Sequence, residues 1–254
     1  MGRKIGVFTA VLLAIAFMFT VDDARATPVH IVNAGFEDPA FPNPDDEYYR
    51  EGAPTGWTQI GWDSSVVGTW RVTYDDFTPV VAPEGQNVAY TKTQRGGTSW
   101  VGLQQILDTP FAGGKNYTLN VEVGNSWHYW FSGYRIQLLA GDTVIAEDNN
   151  TLHPDWYEWA TSTVEYTYDP LNFDDSLVGE LLGIQLINLG RNPDRERDPD
   201  KVGASYYDNV GVEFDNVRLE NDDVVPTPEP ATMLLLGAGL LGLAGVGRKK
   251  LFRK

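Results

Sequence analysis

The sequence predicts an all-β protein, an antiparallel β-sandwich or jelly roll, with a signal peptide before it and a C-terminal hydrophobic helix after it. Three observations point there. Apolar and polar residues alternate with period two in short runs through the middle of the chain. Helical periodicity is almost absent from the same region. Gly, Pro, Asn and Asp separate the runs, as turns require.

Residues 1–26 come first. Arg3 and Lys4 precede an uncharged apolar run over residues 5–21, and Ala24-Arg25-Ala26 supplies a small-x-small cleavage pattern. A basic start, an apolar middle and this ending make a secretory signal peptide.

Residues 27–223 form the expected sandwich. Tyr117, Leu119, Val121 and Val123 share one face of a strand, and Thr118, Asn120 and Glu122 share the other. Tyr134, Ile136, Leu138 and Ala140 repeat the pattern, as do Val164, Tyr166 and Tyr168. One apolar face per strand means sheets packed on a shared core. Further strands are expected over residues 29–32, 69–74, 86–91, 100–107, 143–147, 182–188 and 212–219. Ala140-Gly141-Asp142 reads as a tight hairpin turn with Gly141 at positive φ. In the last strand Val212 and Phe214 need one face, while Val217 and Leu219 need the other. Strict alternation forbids this without an inserted residue, so a bulge is expected near Asp215-Asn216. Residues 190–204 mix both signs of charge and read as a solvated loop.

Residues 224–230 are a stiff proline-rich linker, and residues 231–247 carry no charge. As a helix the latter would reach roughly 25 Å, slightly short of the hydrocarbon core, and it is read as a transmembrane sorting helix. Residues 248–254 hold Arg248, Lys249, Lys250, Arg253 and Lys254, a basic tail that stays cytoplasmic.

Composition narrows the function. The chain has no cysteine, which excludes thiol chemistry and disulfide frameworks. Eight of the 19 basic residues and three of the 35 acidic ones lie in the end segments, leaving 11 and 32 in the domain, a balance of −21. Such a surface repels nucleic acid and suits an extracellular setting or Ca²⁺ uptake. Aromatic residues are abundant, with eight Trp, twelve Tyr and eleven Phe. Two clusters lie in loop-like settings, one with Trp127, Tyr129 and Trp130, the other with Trp156 and Trp159. Flat rings stack on sugar faces, so these five are the candidate carbohydrate-binding residues. Trp57 belongs to the core edge. No serine elbow, phosphate loop or paired-histidine motif is present. The expectation is a non-catalytic domain, not an enzyme, that binds extracellular polysaccharide. The alternative is a structural or adhesive matrix protein without a small-ligand site. A polysaccharide-degrading enzyme ranks last.

Two resemblances add to this reading. Pro228-Glu229-Pro230, the Gly/Leu/Ala-rich span and the cluster beginning Arg248-Lys249-Lys250 resemble the PEP-CTERM sorting signal. That resemblance implies a transient stay in the inner membrane and recognition by exosortase, a membrane protease. It also implies export to the cell surface or extracellular matrix of a Gram-negative bacterium, in a biofilm and exopolysaccharide setting. The domain itself resembles jelly-roll carbohydrate-binding modules of the galactose-binding-like type. The resemblance rests on Asn33-Ala34-Gly35-Phe36-Glu37, on Gly56-Trp57 and on the closing stretch Val212-Glu213-Phe214-Asp215-Asn216-Val217-Arg218-Leu219. In such modules a structural Ca²⁺ ties the first strand to the last. The positions that match are Glu37 and Asp215, with Asp38 or Asn216 as further ligands.

Overall fold

The computed structural model describes residues 26–41, 49–61, 66–72, 81–93, 100–125, 131, 133–190 and 210–224, with residues 237 and 239. Two antiparallel sheets account for the domain. The larger runs β10 (Trp159–Tyr166), β7 (Lys115–Gly124), β12 (Val210–Asp223), β5 (Asn87–Thr93), β4 (Val66–Arg71), β2 (Tyr49–Glu51), and β1 (Thr27–Val29) joins it on β12. The smaller runs β3 (Thr58–Gly61), β6 (Val101–Pro110), β11 (Leu181–Asn188), β8 (Tyr134–Ala140), β9 (Thr143–Asn149). Among the described residues one 3-10 turn, Asp175–Leu177, starts at Asp174, whose carboxylate accepts from the Ser176 N–H.

The alternation forecast for β7 holds. Tyr117, Leu119, Val121 and Val123 are fully buried, and the residues between them are half-exposed. They meet Leu103, Ile136, Leu138, Ile184 and Leu186 from the other sheet. Each such side chain contributes roughly 1.5–3 kcal/mol of burial energy. The β8–β9 hairpin turns at Gly141, whose φ is +58°.

β12 is the organising strand. Its first half pairs with β5 and its last part with β1, with Val29 opposite Leu219, so the opening and closing strands lie side by side. Along its other edge it pairs with β7, and the register shifts between Asp215 and Arg218. Asn216 sits there at φ +49°. This is the bulge that the parity break requires. Asn tolerates the left-handed region better than most residues, because its short polar side chain can bond locally.

The chain after β1 departs from the expected strand over 29–32. Asn33 at φ +53° and Phe36 at φ +56° turn it instead. The Asn33 amide holds the turn: Nδ2 donates to Asp38 O (2.6 Å) and Thr55 O (3.2 Å), and Oδ1 accepts from Asp38 N–H (2.9 Å). Trp57 donates from Nε1 to Asn33 O and packs on Phe36, with ring centroids 5.3 Å apart. Trp57 is buried, as expected of a core-edge ring. Gln105 of β6 ties the smaller sheet to the turn after β1 by bonding both backbone groups of Val32. β2 and β3 were not anticipated, because three or four residues are too few to show alternation. The loop read over 190–204 falls, apart from its first residue, outside the described residues.

Candidate functional site

The outer face of the larger sheet carries one lateral row across five strands. Trp159 of β10 stands opposite Gly124 of β7, which stands opposite Glu213 of β12. Glu213 pairs with Tyr90 of β5, and Tyr90 with Gly68 of β4. Core residues Val212 and Phe214 flank Glu213 in sequence, so alternation turns Glu213 outward. It is nevertheless only 4% exposed. The glycines explain how rings lie beside it. A Cβ on Gly124 would come within 2.6 Å of the Trp159 ring, and one on Gly68 within 2.7 Å of the Tyr90 ring. Both rings therefore rest on bare backbone. The row places a water-poor carboxylate between two aromatic surfaces. The Trp159 Nε1–H is itself buried and finds no hydrogen-bond partner among the described residues.

Asp215 follows Glu213 on the same face and is fully buried. Its Oδ2 accepts from Glu84 N–H (2.8 Å), and its Oδ1 accepts from Asn216 N–H (2.7 Å). Burial pushes its carboxyl up to about 7. The charges of Glu84 and Glu37 push the same way, against the two N–H donors. Glu37 reaches the same turn: its Oε1 accepts from Gln86 N–H and Asn87 N–H, both at 2.7 Å. Glycine makes room for these groups. A Cβ on Gly35 would collide with the Glu84 carboxylate, and one on Gly85 with that of Glu37. Glu37 and Asp215, far apart in the sequence, thus meet at residues 84–87, and Glu84 joins them. Asp38 is exposed and serves the turn through its backbone, while Asn216 is the half-buried bulge residue. Among the described residues, no three acidic or histidine side chains form a ready-made metal cage.

The loop before β10 carries the second aromatic cluster. Asn125 holds it: its Nδ2 donates to Pro154 O (2.9 Å), its N–H donates to Glu158 O, and its own carbonyl accepts from Tyr157 N–H. Asp148 anchors the start of the same loop through Thr151 N–H. Its other oxygen accepts from the hydroxyls of Tyr134 and Ser162, each at 2.5 Å. Burial raises the Asp148 carboxyl, yet the bonds from Ser162, Tyr134 and Thr151 outweigh it and hold the group below its ordinary range. Trp156 is half-buried against Tyr157, and Trp159 lies in the row described above. Trp127, Tyr129 and Trp130 lie outside the described residues, as do Pro228, Glu229, Pro230, Arg248, Lys249 and Lys250.

Sequence reasoning missed Glu213, Tyr90 and Glu84. Period two marks Glu213 as solvent-facing, and only the register shows that neighbouring strands cover it. The available signal was a glycine at each of two strand positions, Gly68 and Gly124, where a strand ordinarily places a side chain.

Comparison with known proteins bears on this geometry. The family model described as HpiC1 cyclase matches residues 27–220, and the PEP-CTERM protein-sorting motif matches residues 226–249. A Stig cyclase, Fisc from Fischerella sp. TAU, solved with (3Z)-3-(1-methyl-2-pyrrolidinylidene)-3H-indole, is 33% identical with a TM-score of 0.63. The match covers 79% of this chain and 100% of that one. A cyclase from Fischerella sp. TAU solved with 4-(1H-indol-3-yl)butan-2-one is 32% identical over the same shares, with a TM-score of 0.61. The module TmCBM61 in complex with β-1,4-galactotriose is 16% identical with a TM-score of 0.43, covering 76% of this chain and 98% of that one, too distant to bear on function. Among curated proteins none matches the chain. The expectation of a non-enzyme is corrected by these findings. The domain matches a cyclase family over residues 27–220, and the absence of familiar catalytic motifs from the sequence did not exclude that class.

Proposed function

Because the chain belongs to the HpiC1-like cyclase family, we propose that its domain is an exported cyclase acting on an aromatic, indole-type substrate at the Trp159–Glu213–Tyr90 row. The observation that carries the reading is the buried Glu213 carboxyl between two rings seated on glycines. Trp159 and Tyr90 hold a flat substrate by stacking, which also excludes water. Glu213 acts as general acid and base. It gives a proton to an unsaturated carbon of the substrate. The resulting cation is closed on by an electron pair elsewhere in the same molecule, forming the new ring bond. Loss of a proton, returned to Glu213, restores neutrality, so substrate and product are isomers and no oxidant or reductant is consumed.

The test is turnover of the substrates of the Fischerella cyclases by the exported protein, read as a product of unchanged mass and shifted retention. Wild type should convert them, and Glu213→Gln should fall by at least 100-fold. Equal turnover by both would remove Glu213 from the mechanism, and no turnover with no binding of 4-(1H-indol-3-yl)butan-2-one would remove the indole substrate.

The sorting motif marks the chain for export and surface sorting in a Gram-negative bacterium, with processing by exosortase. Delivery to an extracellular matrix is the reading this supports. A structural Ca²⁺ at Glu37 and Asp215, with Glu84 added, is the second element. What supports it is a buried carboxylate that faces two other carboxylates, an arrangement that needs either a proton or a cation for neutrality. Glycine cradles at Gly35 and Gly85 keep the carboxylates close, and backbone carbonyls would complete an oxygen shell. Extracellular polysaccharide is the third element, developed below.

A further inference from the structure

The outer face of the smaller sheet has a composition that the cyclase reading does not use. One lateral row consists of Thr58 of β3, Gln104 of β6, Gln185 of β11, Gln137 of β8 and Glu147 of β9. Neighbouring strands stand about 4.8 Å apart, so the three glutamines at the centre of the row form a ladder of amides at that spacing. Gln185 Nε2 donates to Gln104 Oε1 (3.1 Å), and Gln137 Nε2 donates to Glu147 Oε2 (2.8 Å). Gln137 is only 8% exposed and braces Glu147, whereas the bond between the half-buried Gln104 and Gln185 uses one of their four side-chain N–H donors and leaves donors and acceptors side by side. Trp100 leads into β6 on the same face, as alternation from Gly102 and Gln104 requires. It is 46% exposed, and its ring rests on Gly61, where a Cβ would come within 2.8 Å of it.

Charge separates this face from the rest of the domain. The described residues of the row and its two neighbouring rows include one acid, Glu147, and one base, Arg135, which approach to 3.9 Å. In a domain with a balance of −21 this is a neutral island. A polyanionic partner is repelled by the surroundings, whereas an uncharged polymer of hydroxyl groups is not.

We propose that this face binds a neutral polysaccharide strand, with Trp100 as the stacking platform and the half-buried Gln104 and Gln185 as hydroxyl ligands. It gives the polysaccharide partner named above a site, on the sheet opposite the cyclase row. Each amide offers a donor and an acceptor side by side, the complement of a sugar hydroxyl that both accepts and donates. The enzyme is thereby held in a matrix without blocking Glu213.

Affinity electrophoresis of the exported protein tests this, in gels holding hydroxyethylcellulose, β-1,4-galactan, dextran or alginate. Retardation is expected in at least one neutral gel, with a loss of 10-fold or more in Trp100→Ala and in the double variant Gln104→Ala/Gln185→Ala. Glu213→Gln should be retarded as wild type is, which separates this site from the cyclase site. Thermal unfolding of each variant identifies any that fails to fold, and the double variant then carries the comparison. Mobility unchanged in every neutral gel, retardation by alginate alone, or retardation that survives the double variant would overturn the proposal. So would sedimentation as a dimer that Ile106→Glu dissociates, because the face would then belong to a second copy.

Discussion

Asp215 gives the domain a pH dependence opposite in sign to that of most carboxylates. Its carboxyl titrates at 3.8 when exposed and at about 7 in the fold. Between those values the folded chain binds more protons than the unfolded one, so stability falls as pH rises and levels off above about 7. The whole effect is about 4 kcal/mol, at about 1.4 kcal/mol per tenfold change in proton affinity. Between pH 5 and pH 8 about 3 kcal/mol of it is lost, on the order of 8 °C in midpoint for a domain of this size. Asp148, Asp169 and Asp174 are held below 3.8 and act only at lower pH, so this window belongs to Asp215 among the described residues with shifted carboxyls. The assay is urea unfolding in a calcium chelator at pH 5 and pH 8, on wild type and Asp215→Asn. Asn keeps an oxygen for the Glu84 N–H and gives up one charged acceptor, a cost of about 1 kcal/mol. The variant should therefore lose the slope and be about 3 kcal/mol more stable than wild type at pH 8. Added Ca²⁺ should cancel the slope in wild type and leave the variant unchanged. A flat or rising profile for chelated wild type, or a variant less stable at pH 8, would refute the reasoning; no response to Ca²⁺ would leave the proton as the neutralising partner and remove the metal.

Gly124→Ala places a methyl group within 2.6 Å of the Trp159 ring, so the ring must swing off the sheet. Binding of 4-(1H-indol-3-yl)butan-2-one, followed by calorimetry, should weaken about 10-fold or more, equivalent to about 1.4 kcal/mol, while circular dichroism stays that of a β-sandwich. Asn33→Ala removes three hydrogen bonds and puts a Cβ-bearing residue without a bonding side chain at φ +53°, and should cost about 3 kcal/mol in denaturant unfolding. Asp148→Ala strands the buried hydroxyls of Tyr134 and Ser162 and should cost about 3–5 kcal/mol, with Asp148→Asn recovering part of it because one oxygen can still accept. Loss of less than 1 kcal/mol in either Ala variant, measured by the same unfolding curves, would show that these networks are not what fixes the two turns.

What could be read from residues alone were the features in which a local pattern has one physical outcome. Alternation in β7 and β10 can only sort side chains between core and solvent, so the sandwich followed. The break between Phe214 and Val217 can only be repaired by an extra residue, so the bulge followed. The Pro-Glu-Pro, apolar and basic order at the end of the chain is contiguous, so sorting was legible too. What the tertiary structure decided were the features in which distant residues share one place. Glu213 reads as a surface acid until β5 and β7 flank it with Tyr90 and with a ring lying on Gly124. Glu84 has no local sign of joining Glu37 and Asp215, because the pairing of β1, β5 and β12 creates that proximity. The row that holds the amide ladder draws one residue from each of five strands, and no sequence window contains it. Burial of a polar group depends on its neighbours across the sheet, and hydrogen-bond register alone assigns those neighbours.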